Sequence, residues 1–561
     1  MNKSIYKVLV IVFSFSLGVL VLDCTLENNV FGAEFEFPEE LLSQEVEWEK
    51  CEFDEAQKKW RKAECAYINV PLYWDNPEGE TITIYVKRLR SLLKARKQMW
   101  WLDGGPAYAG TAHFPPFMQD IAQLDWRIDL YTLDHRGTGY SERLSCPEQE
   151  TDASEEGVWL TENEWDECIE HLEANYNLDA FTVTEAAKDV GFLVELLKEE
   201  NKEIFVYGVS YGTYWSHRYA QIFPNQANGI ILDSLLPSDV QGEQLEILGN
   251  NVAKDFFDIC KEDEFCRIKM GDDPWEKANE IFEKFKDGHC PEIVENGLTP
   301  EYLQQLAFSA LYYWDLRILL PVFYYRIDRC SEEDVSAFKH LLDDFLSQLA
   351  SPTTRLYSDA LFYHIVLSEL MSDDLMPVDE MKKIDETLLA TEHLVANKLL
   401  PLLEIWPTYA PDDMYYRKWA SKGVPILMLH GTPDQRTPMD ITSAAREKLA
   451  GPNQYFVEIP NGVHGVMFGS PVKNIFAPHC GLQIVMNYMK DPLEAPDTSC
   501  LVNLKPIDFR GNPLMALMVF GTWNLWENRI NCKFLDDQIF LMKEEAENVL
   551  QDLRQRGPIL R

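Results

Sequence analysis

The stretch Glu-Ile-Phe-Val-Tyr-Gly-Val-Ser-Tyr-Gly at 203–212 constrains the fold more than any other part of the sequence. A β-prone run at 204–207 stops at Gly208, and a helix-like pattern follows Gly212. A serine flanked by glycines two residues before and two residues after it suits a sharp strand-to-helix turn that holds its hydroxyl clear of the backbone. The pattern therefore predicts that Ser210 is a nucleophile and that the Tyr211 N–H, at a helix N-terminus, points at the reaction centre.

Apolar strand-like runs and helical patterns alternate around that turn. Further strands are predicted at 70–72, 81–86, 97–102, 128–133, 229–233, 424–429 and 455–459. A helical spacing of apolar residues at 184–197 precedes the strand of the turn. Strand, helix and strand in this order predict an α/β fold with a mostly parallel sheet and helices on both faces.

Residues 235–413 have a different pattern of apolar and polar residues. Strand-like runs vanish there, and long amphipathic stretches rich in Leu, Phe, Tyr and Glu replace them, which predicts an inserted helical cap. Helix-like segments are also predicted at 51–67 and near 538–553. The predicted organisation is a first core part at 34–235, the cap at 236–412, a second core part at 413–500 and a C-terminal extension at 501–561 to which the sequence assigns no role.

The N-terminus has the pattern of a signal peptide at 1–33. Lys3 and Lys7 precede an apolar run at 8–22, and Gly32 and Ala33 are small residues suited to a cleavage site. The alternative is an uncleaved membrane anchor, although the apolar run is only marginally long enough to span a bilayer. We therefore expect a secreted or periplasmic protein with no membrane span once the signal is removed.

The twelve cysteines fit an exported protein. Ten of them form close sequence pairs, although spacing does not fix the connectivity: Cys51/Cys65, Cys146/Cys168, Cys260/Cys266, Cys290/Cys330 and Cys480/Cys500. No pair has the spacing of a zinc site, and the sequence indicates neither a metal nor a cofactor. The formal net charge of −41 argues against nucleic-acid binding, because such a chain repels a phosphate backbone.

A serine nucleophile needs an acid and a base, in the chain order Ser, acid, His for this kind of turn. The strand ending at residue 429 runs into a loop with Asp434, the predicted acid, and Asp440 is its competitor. The strand ending at 459 runs into Pro-Asn-Gly-Val-His-Gly, which makes His464 the predicted base. His430 is the alternative base, and His217, two turns into the helix after Ser210, is expected to pack or to face solvent.

The predicted oxyanion loop follows the strand at 97–102. Gly104 and Gly105 lack side chains, so a backbone N–H of this loop can approach a substrate oxygen, together with the Tyr211 N–H. The alternative interpretation is an ordinary Gly-Gly-Pro turn.

These motifs resemble those of the α/β-hydrolase serine aminopeptidases, especially the tripeptidyl-aminopeptidase-like branch related to prolyl aminopeptidase, over roughly residues 51–500. The similar stretches are Trp-Asp-Asn-Pro at 74–77, Leu-Asp-Gly-Gly-Pro at 102–106, Asp-His-Arg-Gly-Thr-Gly-Tyr-Ser at 134–141, the serine turn at 208–212, the run 425–438 and Gly-Val-His at 462–464. The resemblance implies an α/β-hydrolase fold with a helical cap, and a Ser210–Asp434–His464 triad that cuts peptides from a free N-terminus through an acyl-enzyme. The stretch at 134–139 is expected to support the nucleophile loop rather than take part in chemistry.

Two departures from the family pattern are relevant to the site. Ala107 stands where the family usually has the last glycine of Gly-Gly-Pro-Gly, and such a residue is constrained if the loop needs a positive φ there. In the cap, Glu369 is a candidate partner for the substrate's ammonium group, with a solvated helix carboxylate as the alternative.

The sequence supports three functional hypotheses. The first is an exported serine exopeptidase acting on peptides. The second is a secreted lipase or esterase on the same scaffold, because the same triad serves both chemistries. The third is an inactive binding protein, which the three filled triad positions make the least favoured.

Overall fold

The computed structural model describes residues 35–52, 63–151, 159–347, 357–411 and 414–528. The chain divides into two compact units, Met1–Ser43 and Gln44–Arg561. In the first unit, the described residues contain one short helix, Glu39–Leu42. The predicted signal peptide at 1–33 and the predicted helix at 538–553 lie outside the described residues.

A nine-stranded sheet forms the centre of the second unit. Its strands are β1 (Glu49–Cys51), β2 (Ala63–Pro71), β3 (Thr81–Leu89), β4 (Lys97–Leu102), β5 (Ile128–Leu133), β6 (Glu203–Val209), β7 (Gly229–Asp233), β8 (Ile426–Gly431) and β9 (Gln454–Ile459). The spatial order is β1-β2-β3-β5-β4-β6-β7-β8-β9. The strands from β5 through β4 to β9 pair in parallel, and the ladders among β1, β2, β3 and β5 are antiparallel. The predicted mostly parallel sheet is confirmed.

The strand order reverses at β4, which lies between β5 and β6. In open α/β sheets, ligands bind outside the carboxyl ends of the strands at such a point. The strands there are fully buried, as expected for a sheet covered on both faces: five of the six β4 residues and all residues of β5 and β7 are buried.

Helices cover the sheet and form the insertion between β7 and β8, where the described residues contain no strand. The helices of the core are Gly110–His113, Pro115–Leu124, Trp165–Asn175, Val183–Leu197, Tyr211–Ile222, Ser443–Lys448, Val466–Gly469 and Cys480–Tyr488. The insertion contains Leu245–Glu262, Glu264–Met270, Pro274–Lys286, Pro291–Glu295, Pro300–Tyr312, Leu319–Arg329, Glu332–His340, Asp359–Ile365, Val378–Asp385 and Leu400–Leu403, with π-helical turns at Leu341–Leu346, Val366–Leu370 and Val395–Leu399. No helix among the described residues is long and apolar enough to cross a membrane.

The described part of the C-terminal extension packs into the apolar core of this insertion. It contains the helix Pro513–Phe520, and Phe520 and Trp526 are buried in the same cluster as the insertion helices. The buried guanidinium of Arg326, on the insertion helix Leu319–Arg329, donates from Nε to the Leu525 carbonyl oxygen over 2.7 Å. This stretch therefore completes the hydrophobic core of the insertion, a role that the sequence did not reveal.

The helix predicted at 51–67 is wrong where the structure describes it. Cys51 ends β1 and Ala63 begins β2, and these two strands pair antiparallel with Cys51 opposite Ala63. The disulfide Cys51–Cys65 joins the same pair. Sheet pairing prevails over local propensity here, because β2 buries six of its nine side chains against the sheet. The other four close cysteine pairs are also disulfide-bonded: Cys146–Cys168, Cys260–Cys266, Cys290–Cys330 and Cys480–Cys500.

Candidate active site

Ser210 lies at the turn between β6 and the helix Tyr211–Ile222. Its backbone φ is 57°, a left-handed conformation that is strained for a residue other than glycine. The flanking glycines make the turn possible. A Cβ on Gly208 would lie 2.1 Å from the Gly212 carbonyl oxygen, and a Cβ on Gly212 would lie 2.2 Å from the Leu102 carbonyl oxygen. The serine hydroxyl therefore stands at the positive end of a helix, as a nucleophile requires.

Asp434 and His464 form a buried acid–base pair. His464 Nδ1 lies 2.8 Å from Asp434 Oδ1 and 2.9 Å from Oδ2. The same carboxylate accepts the N–H groups of Arg436 and Thr437 and the Thr437 hydroxyl, each over 3.0 Å. Burial alone would raise the pKa of Asp434, but the charge and hydrogen bond of His464 and these further donors lower it below its ordinary value. The acid therefore stays ionised and orients the imidazole with Nδ1–H toward it, so that Nε2 can act as the base.

Asp233, the last residue of β7, holds the serine turn and the histidine loop in one arrangement. The Ser210 N–H donates to the Asp233 carbonyl oxygen over 3.0 Å. The N–H groups of Val466 and Met467, just after the histidine, donate to the Asp233 carboxylate over 2.8 and 2.9 Å. Ser210 and His464 consequently line the same cavity. The structure thus brings Ser210 close to Asp434 and His464, although more than two hundred residues separate Ser210 from either of them in the sequence.

The loop after β4 packs directly against the serine, since a Cβ on Gly104 would lie 3.5 Å from Ser210 Oγ. Within the described chain, the N–H groups of Gly105 and Tyr211 donate to no other protein group, so both can serve an oxyanion. The Gly104 N–H differs, because it donates to the Asp103 carboxylate over 2.7 Å. The structure therefore argues against Gly104 as a donor in this arrangement and leaves Gly105 and Tyr211 as candidates.

Ala107 does not change this loop. The positive φ falls on Gly105, at 109°, and Ala107 is not among the residues with positive φ. Its carbonyl oxygen instead accepts the Thr138 hydroxyl over 2.6 Å and the Ser358 N–H over 3.2 Å. The alanine is therefore tolerated without backbone strain and ties the loop to both the core and the insertion.

The cavity around Ser210 has a volume of about 190 Å³ and is mainly aromatic. The Trp, Tyr and Phe side chains that line it are Trp101, Tyr108, Phe114, Phe117, Tyr207, Tyr312, Tyr313, Phe362 and Phe468. Two charged pairs also line it: Asp103 with His113, and Glu392 with Arg436. Arg436 Nη2 lies 2.6 Å from Glu392 Oε1. The cavity can therefore hold apolar groups close to the serine, and it places charged side chains where a ligand can contact them.

Comparisons with known proteins identify relatives of this chain. The model of the α/β hydrolase fold family matches residues 102–262, a span that begins at the end of β4 and includes the serine turn. The chain has the α/β-hydrolase fold. It is similar to the serine protease Hip1 of Mycobacterium tuberculosis, with 27% identity over 46% of this chain and 53% of Hip1. It is also similar to the tripeptidyl aminopeptidase of Streptomyces lividans, with 26% identity over 34% of this chain and 38% of that protein.

These relatives confirm the resemblance to α/β-hydrolase serine peptidases, although the identity is low. The chain spans about half the length, or less, of the curated relatives that it matches. Among solved structures, an esterase from Thermogutta terrifontis aligns with a TM-score of 0.29 and 13% identity over 71% of this chain and 91% of the esterase.

The structure argues against the prediction that Glu369 binds a substrate ammonium group. Glu369 is 2% exposed and is not among the residues that line the cavity. Its carboxylate accepts hydrogen bonds from Arg218 Nη2 over 2.9 Å, the Tyr214 hydroxyl over 3.0 Å and the Tyr409 hydroxyl over 2.7 Å. Glu369 therefore joins the insertion to the helix Tyr211–Ile222 through a buried, hydrogen-bonded carboxylate.

The competing candidates are also structural. His430 Nδ1 accepts the Leu235 N–H over 3.2 Å, and its Nε2 donates to the Thr437 carbonyl oxygen over 2.7 Å, so both ring nitrogens are engaged. His217 Nε2 accepts the Ala420 N–H over 3.0 Å, and burial lowers the pKa of His217 to about 3. Asp440 is exposed in a short 3-10 turn.

Arg136, from the family-like stretch at 134–139, is a buried structural residue. Its Nε and Nη2 donate to the two carboxylate oxygens of Asp189 over 2.7 and 2.6 Å, and its Nη1 donates to the carbonyl oxygens of Leu72 and Ala180. Asp189 also accepts the Trp74 indole N–H over 2.8 Å. These contacts support the expectation that this stretch holds the core beside the site.

Replacing Arg136 by Met should lower the free energy of unfolding by about 3–5 kcal/mol, because it leaves the buried Asp189 carboxylate without its cation. Chemical denaturation of purified protein measures this loss. The matched control is Arg510→Met, at an exposed position, which should change stability by less than about 0.5 kcal/mol. Equal stability of the two variants would contradict the structural role of Arg136.

Proposed function

We propose that this α/β-hydrolase is an exported serine exopeptidase that releases amino acids or short peptides from free N-termini. The observation that carries the proposal is the ionised Asp434 bonded to His464 in a loop that shares one cavity with Ser210. The names of its relatives, a serine protease and tripeptidyl aminopeptidases, support peptide bonds as the target. The five disulfides support export, since such bonds persist in oxidising compartments.

In the proposed reaction, His464 Nε2 removes the proton of the Ser210 hydroxyl as Oγ attacks the scissile carbonyl carbon. The N–H groups of Gly105 and Tyr211 donate to the resulting oxyanion. The imidazolium, stabilised by Asp434, then protonates the leaving amine, and an acyl-enzyme on Ser210 remains. Water attacks this ester with His464 again as the base, which releases the N-terminal product and restores the serine.

Recognition of a free amine is assigned to Glu392 in place of Glu369. The Glu392 side chain lines the cavity from the insertion and is 14% exposed, whereas Glu369 is sealed from the cavity. A carboxylate there can accept a charge-assisted hydrogen bond from a substrate ammonium group. Tyr312, Tyr313 and Phe362, also from the insertion, line the same cavity and favour a chain end over the middle of a folded chain.

The proposal is tested with matched peptides that carry either a free or an acetylated N-terminus, and with p-nitrophenyl esters. We expect free peptides to be shortened from the N-terminus, as read by mass spectrometry, and acetylated peptides to remain intact. Cleavage of both peptides at similar rates would contradict amine recognition. Turnover of esters alone would instead support the esterase hypothesis.

Replacing Glu392 by Gln should lower kcat/KM for free-amine peptides by about 10- to 100-fold, since a charge-assisted hydrogen bond contributes about 1.5–3 kcal/mol. The p-nitrophenyl ester, which has no ammonium group, should lose less than about threefold. Glu404→Gln, at an exposed position of the same insertion, is the matched control. An equal loss on the ester and the peptide would show that Glu392 supports the fold of the site rather than amine binding.

A further inference from the structure

A second acid–histidine pair lies in the cavity and has no part in the reaction described above. Asp103 immediately follows β4, and His113 ends the short helix Gly110–His113. His113 Nδ1 lies 3.1 Å from Asp103 Oδ1 and 3.0 Å from Oδ2. Asp103 is 4% exposed, and the His113 side chain is 20% exposed toward the cavity that Ser210 and His464 share.

This pair is built into the wall of the oxyanion site. Asp103 Oδ1 also accepts the Gly104 N–H over 2.7 Å, and Gly104 packs against the Ser210 side chain. The Asp103 carbonyl oxygen lies 2.8 Å from the position that a Cβ of Gly212 would occupy. The loop backbone therefore packs closely against the start of the helix Tyr211–Ile222. A movement of Asp103 would therefore displace the candidate donor Gly105.

An ionised carboxylate is an unfavourable neighbour for an oxyanion. The reaction develops negative charge on the substrate oxygen beside Gly105, and a buried carboxylate lining the same cavity repels such a charge more strongly than a solvated one would. A cation beside Asp103 would therefore favour the reaction. His113 is the one cation that contacts the Asp103 carboxylate among the described residues.

We propose that His113 is a positioning residue whose imidazolium neutralises Asp103 and fixes the Gly104–Gly105 loop beside Ser210. The charge state agrees with this role. Burial alone would lower the pKa of His113, but the charge and hydrogen bond of Asp103 outweigh it and raise the pKa above its usual value. The inference rests on the proposed function only in that Ser210 is the nucleophile; it does not depend on which substrate is cleaved.

The test compares three variants by steady-state kinetics on both a free-amine peptide and p-nitrophenyl acetate. His113→Asn keeps a hydrogen-bond donor near Asp103 but removes the charge, and it should lower kcat by about 10- to 100-fold while KM changes by less than about threefold. Asp103→Asn should lose less kcat than His113→Asn, because no carboxylate remains to be neutralised and the amide oxygen can still accept the Gly104 N–H. The double variant Asp103→Asn with His113→Asn should recover most of the activity that the single His113→Asn variant loses. His171→Asn, outside the cavity, is the matched control and should be unchanged.

Each result has a defined meaning. A wild-type kcat in His113→Asn would overturn the proposal. A double variant no faster than His113→Asn would also overturn it, because removing the charge of Asp103 should restore activity only if that charge causes the loss. A loss of more than about 100-fold in the kcat of Asp103→Asn alone would also overturn the proposal. If His113→Asn does not fold, the kinetics of Asp103→Asn decide the question. Ser210→Ala, measured in parallel, distinguishes a failure of the proposed function from a failure of the role of His113. If this variant hydrolyses the ester at the wild-type rate, the proposed function has failed.

Discussion

Replacing Ser210 by Ala is expected to lower kcat by about four to six orders of magnitude, with the fold retained. The serine oxygen forms the covalent bond in the proposed mechanism, and alanine at the turn has no atom that can replace it. The backbone hydrogen bond from residue 210 to the Asp233 carbonyl oxygen is kept in the variant, so the turn should persist. Steady-state kinetics on a free-amine peptide, with circular dichroism as a check on folding, measures both effects.

The matched control for this variant is Ser216→Ala. Ser216 is buried on the same helix, and its hydroxyl has no hydrogen-bond partner within the described part of the chain, so removing it should change kcat by less than about twofold. Hydrolysis by Ser210→Ala at a rate near that of this control would mean that another residue is the nucleophile.

Replacing Asp434 by Asn is expected to lower kcat by about four orders of magnitude, the second largest effect. The carboxylate holds His464 with its proton on Nδ1 and stabilises the imidazolium that forms during the reaction. An amide keeps the size of the side chain, but the NH₂ group that it can turn toward Nδ1 favours the other tautomer, in which Nε2 carries the proton and cannot act as a base. The donors that now hold Asp434 in place, Arg436 N–H and Thr437 N–H, can still bond the amide oxygen.

Asp440→Asn is the matched control for the acid. Asp440 lies six residues further along the same loop region and is exposed, so its neutralisation should leave kcat within about twofold. If Asp440→Asn lost more activity than Asp434→Asn, the assignment of the acid would be contradicted.

The sequence predicted the sheet and the candidate triad for a physical reason. Each of the three residues follows a strand, and strand ends are marked by strong local signals: an apolar run that stops at glycine, proline or a charged residue. Parallel pairing then brings those ends to one edge of the sheet. The turn at Ser210 was the clearest case, because only a crowded backbone requires glycine at both 208 and 212.

The surroundings of Glu369 could not be predicted from the sequence, for the opposite reason. An amphipathic helix pattern shows that a residue lies on a polar face, but not what that face meets in the folded protein. Glu369 meets Arg218 on the nucleophile helix, and this pairing depends on how the insertion packs on the core. The sequence did not indicate that Glu392 lines the cavity, because it lies in an irregular segment without a periodic pattern.

The sequence also did not show that the Gly104 N–H is occupied by the Asp103 carboxylate. A Gly-Gly-Pro loop after a strand predicts that backbone N–H groups are accessible, but not which of them the preceding side chain will occupy. The Asp103 side chain folds back onto the next N–H, a local preference of aspartate in turns that could have been considered from the sequence.

The central claim, that Ser210 is the nucleophile that His464 and Asp434 activate, is tested most directly by covalent labelling. The intact protein is treated with a fluorophosphonate, which reacts with activated serines, and the adduct is located by mass spectrometry of the digested chain. The account predicts a single adduct on Ser210, abolished by Ser210→Ala and strongly slowed by Asp434→Asn. An adduct on a different serine, or unchanged labelling kinetics in Asp434→Asn, would contradict it.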